Sequence, residues 1–241
     1  MIDWLKRPPR DEPSIILAGR HVPIVIRRLA HAKRMTLRLA PDGSEVRISV
    51  PRWARTAEAL AFAHSRADWL TEQSARAPTN EPPQPGGTIR FRGEALAIVH
   101  APDAPRMPLL DPGAIRLGGP EAAVPARLRR WLEKQALALL SEDLAHYCTL
   151  AGKPAPRLAL ANARRRWGSC AADGAIRINW RLVMAPDFVR RSVVAHEAAH
   201  LVHFDHSPRF HALLAKIFEG DVAAANAWLK REGQSLYRPF G

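Results

Sequence analysis

Cysteine is scarce in this sequence, which has only Cys148 and Cys170 among its 241 residues. Two cysteines cannot form a disulfide framework, and their spacing excludes a Cys-x-x-Cys metal pair. We interpret both as free thiols in a reducing compartment. Long apolar runs are also missing, since no segment approaches the roughly 20 residues of a transmembrane helix. Residues 1–10 carry charges and two prolines where a signal peptide needs an apolar core. These absences predict a cytoplasmic protein that does not enter a membrane.

Acidic residues are in the minority, with 23 Asp and Glu against 36 Lys and Arg, so the formal net charge is +13. A basic surface attracts polyanions, and Arg in particular forms paired hydrogen bonds with phosphate. Non-specific nucleic-acid binding is therefore one hypothesis. The basic residues are spread along the chain, however, so a solvated arginine-rich surface is the alternative. No feature predicts an oligomeric state.

The first part of the chain, residues 14–77, predicts a small antiparallel β-sheet covered by a helix. Two segments that alternate apolar and polar residues flank the hairpin-turn residues 41–44. The covering helix is expected from Thr56 to about Ala77. Residues 78–87 then collect four prolines and two glycines, which predicts an exposed connection between two lobes.

Residues 88–241 predict a second, mostly helical lobe with a short sheet. A long amphipathic helix is expected from about Glu121 to Leu150, because its apolar residues recur at helical spacing. Further elements are a strand over Ala175–Val183 and helices over about Phe188–Val202, 208–218 and 221–232. We detect no internal repeat in the sequence.

The helix predicted over Phe188–Val202 contains His196, Glu197 and His200 in a His-Glu-x-x-His arrangement. The i, i+4 spacing puts both imidazoles on one face of a helix, close enough to bind one metal ion. Glu197 then lies beside the metal, where it can act on a bound water. The uncharged flanks indicate that this helix is buried.

A catalytic zinc usually has three protein ligands and one open position, so a third ligand is needed. His203 lies about 10 Å along the axis from His196 while the helix continues, which is too far for a shared ion. His206 can return to the metal if the helix ends beforehand, and the new helix start at Ser207-Pro208 agrees with such a break. His206 is the favoured ligand, and Glu219 on the following helix is the alternative.

The chain resembles the YgjP-like metallopeptidases, relatives of the SprT-like and WLM zinc proteases, from about residue 22 to 218. The resemblance depends on the His-Glu-x-x-His segment together with three others, Trp167-Gly168-Ser169-Cys170, Ile178-Asn179-Trp180-Arg181-Leu182 and His206-Ser207-Pro208-Arg209-Phe210. It implies that zinc is bound by His196, His200 and His206 and that Glu197 is the catalytic acid/base. Ala198 and His211 differ from the residues usual in the family, but neither is an implied ligand.

The resulting fold prediction is α+β, with the small N-terminal sheet lobe at 14–77 and a zincin-like catalytic lobe at 88–241. The predicted function is zinc-dependent hydrolysis of peptide or protein substrates, in which Glu197 takes a proton from a zinc-activated water and passes it to the leaving amine. The strand over Ala175–Val183 is expected to bind the substrate backbone by strand addition. We interpret Trp167–Cys170 as a structural turn, and Tyr237 or a spare histidine as an aid to the oxyanion.

Two other functions compete with this prediction. The first is a nucleic-acid-associated protein whose zinc is structural and whose basic surface binds the nucleic acid. The second is a protease that acts on proteins attached to DNA. An open fourth coordination position would favour an enzyme, whereas a position closed by protein would favour a structural site.

Overall fold

The computed structural model describes residues 13–40, 43, 45–76, 81–164 and 166–240. Its strands are β1 (Ser14–Leu17), β2 (Arg20–Leu29), β3 (Thr36–Leu39), β4 (Val46–Pro51), β5 (Thr88–Phe91), β6 (Glu94–His100), β7 (Leu109–Asp111), β8 (Ala114–Leu117), β9 (Leu158–Ala161), β10 (Gly168–Cys170) and β11 (Ile176–Asn179). Its α-helices are α1 (Thr56–His64), α2 (Ala67–Arg76), α3 (Val124–Leu150), α4 (Asp187–His200), α5 (Pro208–Ile217) and α6 (Val222–Glu232). The α+β class is confirmed.

The described residues form two compact units, one up to Arg76 and the other from Glu81 onward, each with its own hydrophobic core. None of the helices in the described part of the chain is long and apolar enough to cross a lipid bilayer. Residues 77–80, which belong to the predicted helix end and proline-rich connection, lie outside the described residues. Of the predicted turn 41–44, only Gly43 is described, with a φ of 67°.

The sheet of the first unit has the strand order β1-β2-β4-β3, and it corrects the prediction of an antiparallel sheet. The predicted β3–β4 hairpin is present, but β4 also pairs in parallel with β2, so the sheet is mixed. The hairpin turn determines that β4 pairs with β3 on one side. The pairing of its other side with β2 depends on how the strands pack in the core of the whole unit. The single predicted helix is also divided, because α1 ends at His64 and α2 begins at Ala67.

The second unit begins with a sheet of the same topology, in the order β5-β6-β8-β7, which overturns our expectation of no internal repeat. In both sheets the first two strands form a two-residue hairpin, the second and fourth strands are parallel, and the third and fourth are antiparallel. The hairpin residues Ala18-Gly19 and Arg92-Gly93 all have positive φ. Such turns match the twist of antiparallel strands. The two copies of the repeat share their turn positions and their alternation of apolar residues. They share few identical residues, so the repeat is hard to detect in the sequence.

Helix α3, predicted over Glu121–Leu150, runs from Val124 after a short 3₁₀ turn and supports the helix that carries the candidate site. It is linked to α4 by a buried ion pair, in which Arg190 Nε lies 2.7 Å from Asp143 Oδ2. Arg190 and Arg92 also both pair with Asp187 at the start of α4. These charges therefore hold the N-terminal end of α4 against α3 and the β5–β6 turn.

A third, three-stranded sheet has the order β10-β11-β9 and packs against α4. This sheet corrects two predictions from the sequence, the turn at 167–170 and the binding of substrate to the 175–183 strand. Residues Gly168–Cys170, interpreted as a turn, form strand β10, and β11 lies in the centre of the sheet. Because β9 and β10 already occupy both edges of β11, the predicted addition of a substrate strand to the 175–183 segment is wrong. In the described residues β10 pairs only with β11, so β10 is an edge strand of this sheet.

Candidate metal centre

Helix α4 presents His196 and His200 one turn apart and ends at His200, two residues before the predicted end. The chain then turns away, with the backbone N–H groups of Leu201 and Val202 donating to the carbonyls of Ala198 and Ala199. The His200 Nδ1 lies 3.0 Å from the carbonyl oxygen of His203. Since a carbonyl can only accept, Nδ1 carries the proton and Nε2 keeps a lone pair for a metal.

The early end of α4 lets His206 return to the other two histidines. Ser207 is the N-cap of α5 and Pro208 is its first residue, as predicted. The Nε2 atoms of His206 and His196 are 3.2 Å apart, as are those of His200 and His196. The ligating atoms of all three residues lie within 4.8 Å of one another. The structure thus brings together the three histidines that the sequence singled out.

The two separations of 3.2 Å are close to those expected for imidazole nitrogens that bind the same ion. Zinc–imidazole bonds of about 2.0–2.1 Å in a tetrahedron separate the two nitrogens by about 3.3–3.4 Å. Neutral imidazole is the ligating form, and burial, followed by the proximity of the His200 and His206 rings, lowers the pKa of His196 to about 4. His196 is therefore unprotonated at neutral pH, which suits a transition-metal ligand.

Phe210, in the first turn of α5, packs against all three histidines, a role that the sequence did not predict although the residue belongs to a segment on which the family resemblance depends. Its ring is fully buried and lies 4.9, 4.6 and 4.9 Å from the ring centroids of His196, His200 and His206. These contacts restrict how the three imidazoles can turn. The sequence contains a local indication of this role. Ser207-Pro208 marks the start of a helix, and Phe210 is the first large apolar residue of that helix after His206.

Glu197 is buried beside this cluster, with only 6% of its surface exposed. Its carboxylate lies against Gly168, where a Cβ atom would be 2.4 Å from Oε1, so a glycine at position 168 makes room for it. Burial raises the pKa of Glu197 to about 7, although the charge of Arg166 and the nearby backbone of Cys170 oppose this rise.

The sequence profile of one family, described as "YgjP-like, metallopeptidase domain", matches residues 33–232. The chain belongs to this family. Membership makes it a metallopeptidase at the family level, which implies a metal ion and peptide or protein substrates. None of the curated proteins and none of the solved structures matches the chain.

Several other residues considered for this YgjP-like site are used elsewhere. Glu219, the alternative third ligand, accepts a hydrogen bond from Tyr147 at 2.9 Å and pairs with Arg191 at 2.7 Å. It is not among the described residues that group around a possible metal position, and neither is His203. The hydroxyl of Tyr237 donates to the carbonyl of Ala163 and accepts from Asn179 Nδ2, both at 2.9 Å, so it has a structural role.

Cys170 also has no features of a nucleophile. Burial, followed by the negative charges of Glu197 and Asp173, raises the pKa of its thiol, whereas a reactive cysteine needs a lowered pKa. The preceding Trp167 packs on Tyr237, with ring centroids 5.7 Å apart, and so anchors the segment that leads into β10.

Proposed function

We propose that this protein is a zinc peptidase in which His196, His200 and His206 bind the metal and Glu197 is the general base. One observation carries the proposal: the ligating nitrogens of three histidines lie within 4.8 Å of one another, and the buried carboxylate of Glu197 follows one of them, His196, on α4. Three imidazoles and an open position are typical of catalytic zinc. The packing of α4 against a short sheet supports a zincin-like lobe over residues 88–241.

When bound, zinc supplies Lewis acidity, which lowers the pKa of water and polarises the carbonyl of the scissile peptide bond. The carboxylate of Glu197 accepts a proton from the attacking water and then donates it to the nitrogen of the leaving amine. This carboxylate lies against Gly168 of β10, and the Phe210 ring packs on the three imidazoles. General acid–base transfer of this kind typically contributes about 10²- to 10⁴-fold to the rate.

Strand β10 is the proposed binding edge for the substrate backbone. It pairs with β11 on one side, and its residue Gly168 contacts the Glu197 carboxylate. A peptide that adds to the other side of β10 would therefore run past Glu197. Backbone hydrogen bonds supply affinity in such complexes, and pockets for alternate side chains supply specificity.

Metal analysis of purified variants tests the ligand assignment. We expect about one zinc per chain in the wild type, and loss of tight binding in His206→Ala because a catalytic site needs three protein ligands. Glu219→Ala is the matched control and should keep its zinc. The assignment is wrong if Glu219→Ala loses the metal while His206→Ala retains it.

A further inference from the structure

A groove of about 510 Å³ lies on the outer face of the β10-β11-β9 sheet, and β10 separates it from the candidate centre. Its floor is a row of neighbouring residues across the sheet, because Ala159 pairs with Arg177 and Arg177 pairs with Ser169. On the opposite face, Ile176 and Ile178 are fully buried in the core. Small side chains on β9 and β10 leave the space above the central strand open, and Arg177 projects from that strand.

The charged side chains among the described residues that line this groove are all positive. Arg166 and Arg177 are exposed and line it, and its described lining includes no carboxylate. Neither guanidinium forms an ion pair with a carboxylate of the described residues. Asn162 and Trp167 complete the polar and aromatic part of the wall. A pocket of this kind favours an anionic group, and guanidinium matches the planar geometry of a carboxylate.

The groove and the proposed catalytic carboxylate lie on the two sides of strand β10. Gly168 lines the groove, and its other face contacts Glu197. Arg166 is close enough for its charge to lower the pKa of Glu197 against the effect of burial. Side chains alternate between the two faces of a strand, so a peptide paired with β10 would present alternate side chains to the groove and the others to the side of Glu197.

We propose that this groove is a substrate subsite that binds an acidic side chain, Asp or Glu, of the peptide, with Arg166 and Arg177 as its hydrogen-bond donors. The proposal rests on the proposed peptidase function, which it deepens by naming a substrate class. The volume suits one or two side chains rather than a length of nucleic acid, and the groove adjoins a strand edge that pairs with a peptide backbone.

Matched peptides test the subsite with the zinc-loaded, full-length protein. The peptides carry acetylated and amidated ends, and members of a pair differ only by Glu or Gln at one position near the cleaved bond. We expect kcat/KM to be about tenfold or more higher for the Glu peptide at one position, because a charge-assisted hydrogen bond is stronger than a neutral one. Equal cleavage of every pair would overturn the proposal.

Variants connect that preference to the groove. Arg177→Gln should abolish most of the Glu preference, and Arg177→Glu should shift it towards Lys. Arg130→Gln is the matched control, since Arg130 is exposed on α3 outside the groove and the variant makes the same change in net charge. A Glu preference that persists in Arg177→Gln, or that disappears equally in Arg130→Gln, would overturn the assignment.

A binding measurement separates this proposal from the peptidase proposal. The fluorescence anisotropy of the same capped peptides is followed with zinc-loaded Glu197→Gln, alone and combined with Arg177→Gln. If the wild type cleaves no peptide, the peptidase proposal fails, but Glu-selective binding that requires Arg177 still supports the subsite. Binding of a single-stranded oligonucleotide through Arg177, without binding of the acidic peptide, would overturn the subsite in favour of a nucleic-acid contact.

Discussion

Gly168 offers a direct test of whether Glu197 works in the position that the structure gives it. An added Cβ would lie 2.4, 2.7 and 2.8 Å from the Oε1, Cγ and Cδ atoms of Glu197, whereas ordinary contact begins at 3.4 Å. Gly168→Ala must therefore displace the carboxylate by about 1 Å, from 2.4 to 3.4 Å. The backbone of Gly168 does not have a positive φ, so the substitution acts through this contact rather than through backbone strain.

A displacement of about 1 Å at a catalytic group costs on the order of 10²-fold in rate. We expect kcat/KM of Gly168→Ala to fall by about that factor with the zinc content unchanged, and Ser141→Ala, a control at an exposed position of α3, to keep its activity. Peptide hydrolysis and metal analysis of the same samples measure both quantities. In a double-mutant cycle, Gly168→Ala should add little to Glu197→Gln, because both act through one carboxylate. Full activity in Gly168→Ala, or additive losses in the cycle, would refute this reasoning.

Two further predictions concern the support of the site. Phe210→Ala should lower zinc affinity by about 10- to 100-fold, as loss of ligand-orienting contacts does, and cost about 3–5 kcal/mol in unfolding free energy; Phe210→Leu should lose less of both, and unchanged zinc affinity in Phe210→Ala would contradict the role of the ring. Asp143→Asn should cost about 3 kcal/mol, because it leaves the buried Arg190 with Asp187 alone. A denaturation midpoint equal to that of the wild type would show that the ion pair does not stabilise the α3–α4 contact.

The predictions from sequence succeeded where the signal is local. The i, i+4 spacing of His196 and His200 needs only one helix, and the cap at Ser207-Pro208 marks the next helix regardless of what packs around it. The long helix α3 was also predicted within three residues at its start, because its apolar periodicity extends over many turns.

The failures involve pairings between residues that are distant in sequence. No local pattern determines that β2 pairs in parallel with β4, or that β11 lies between β9 and β10. The roles of Gly168 and Phe210 likewise arise from contacts across elements, since one makes room for Glu197 and the other packs on three imidazoles. A short strand such as β10 has too few residues to show alternation, so it resembled a turn.

The central claim is that Glu197 transfers the proton during peptide hydrolysis at the three-histidine site. The most direct measurement is the rate of peptide cleavage by Glu197→Gln, with its zinc content and unfolding midpoint determined on the same preparation. Gln is nearly isosteric but cannot accept the proton, so we expect the fold and the zinc to be retained and the rate to fall by about 10²- to 10⁴-fold. Wild-type rates in a zinc-loaded Glu197→Gln protein would contradict the account.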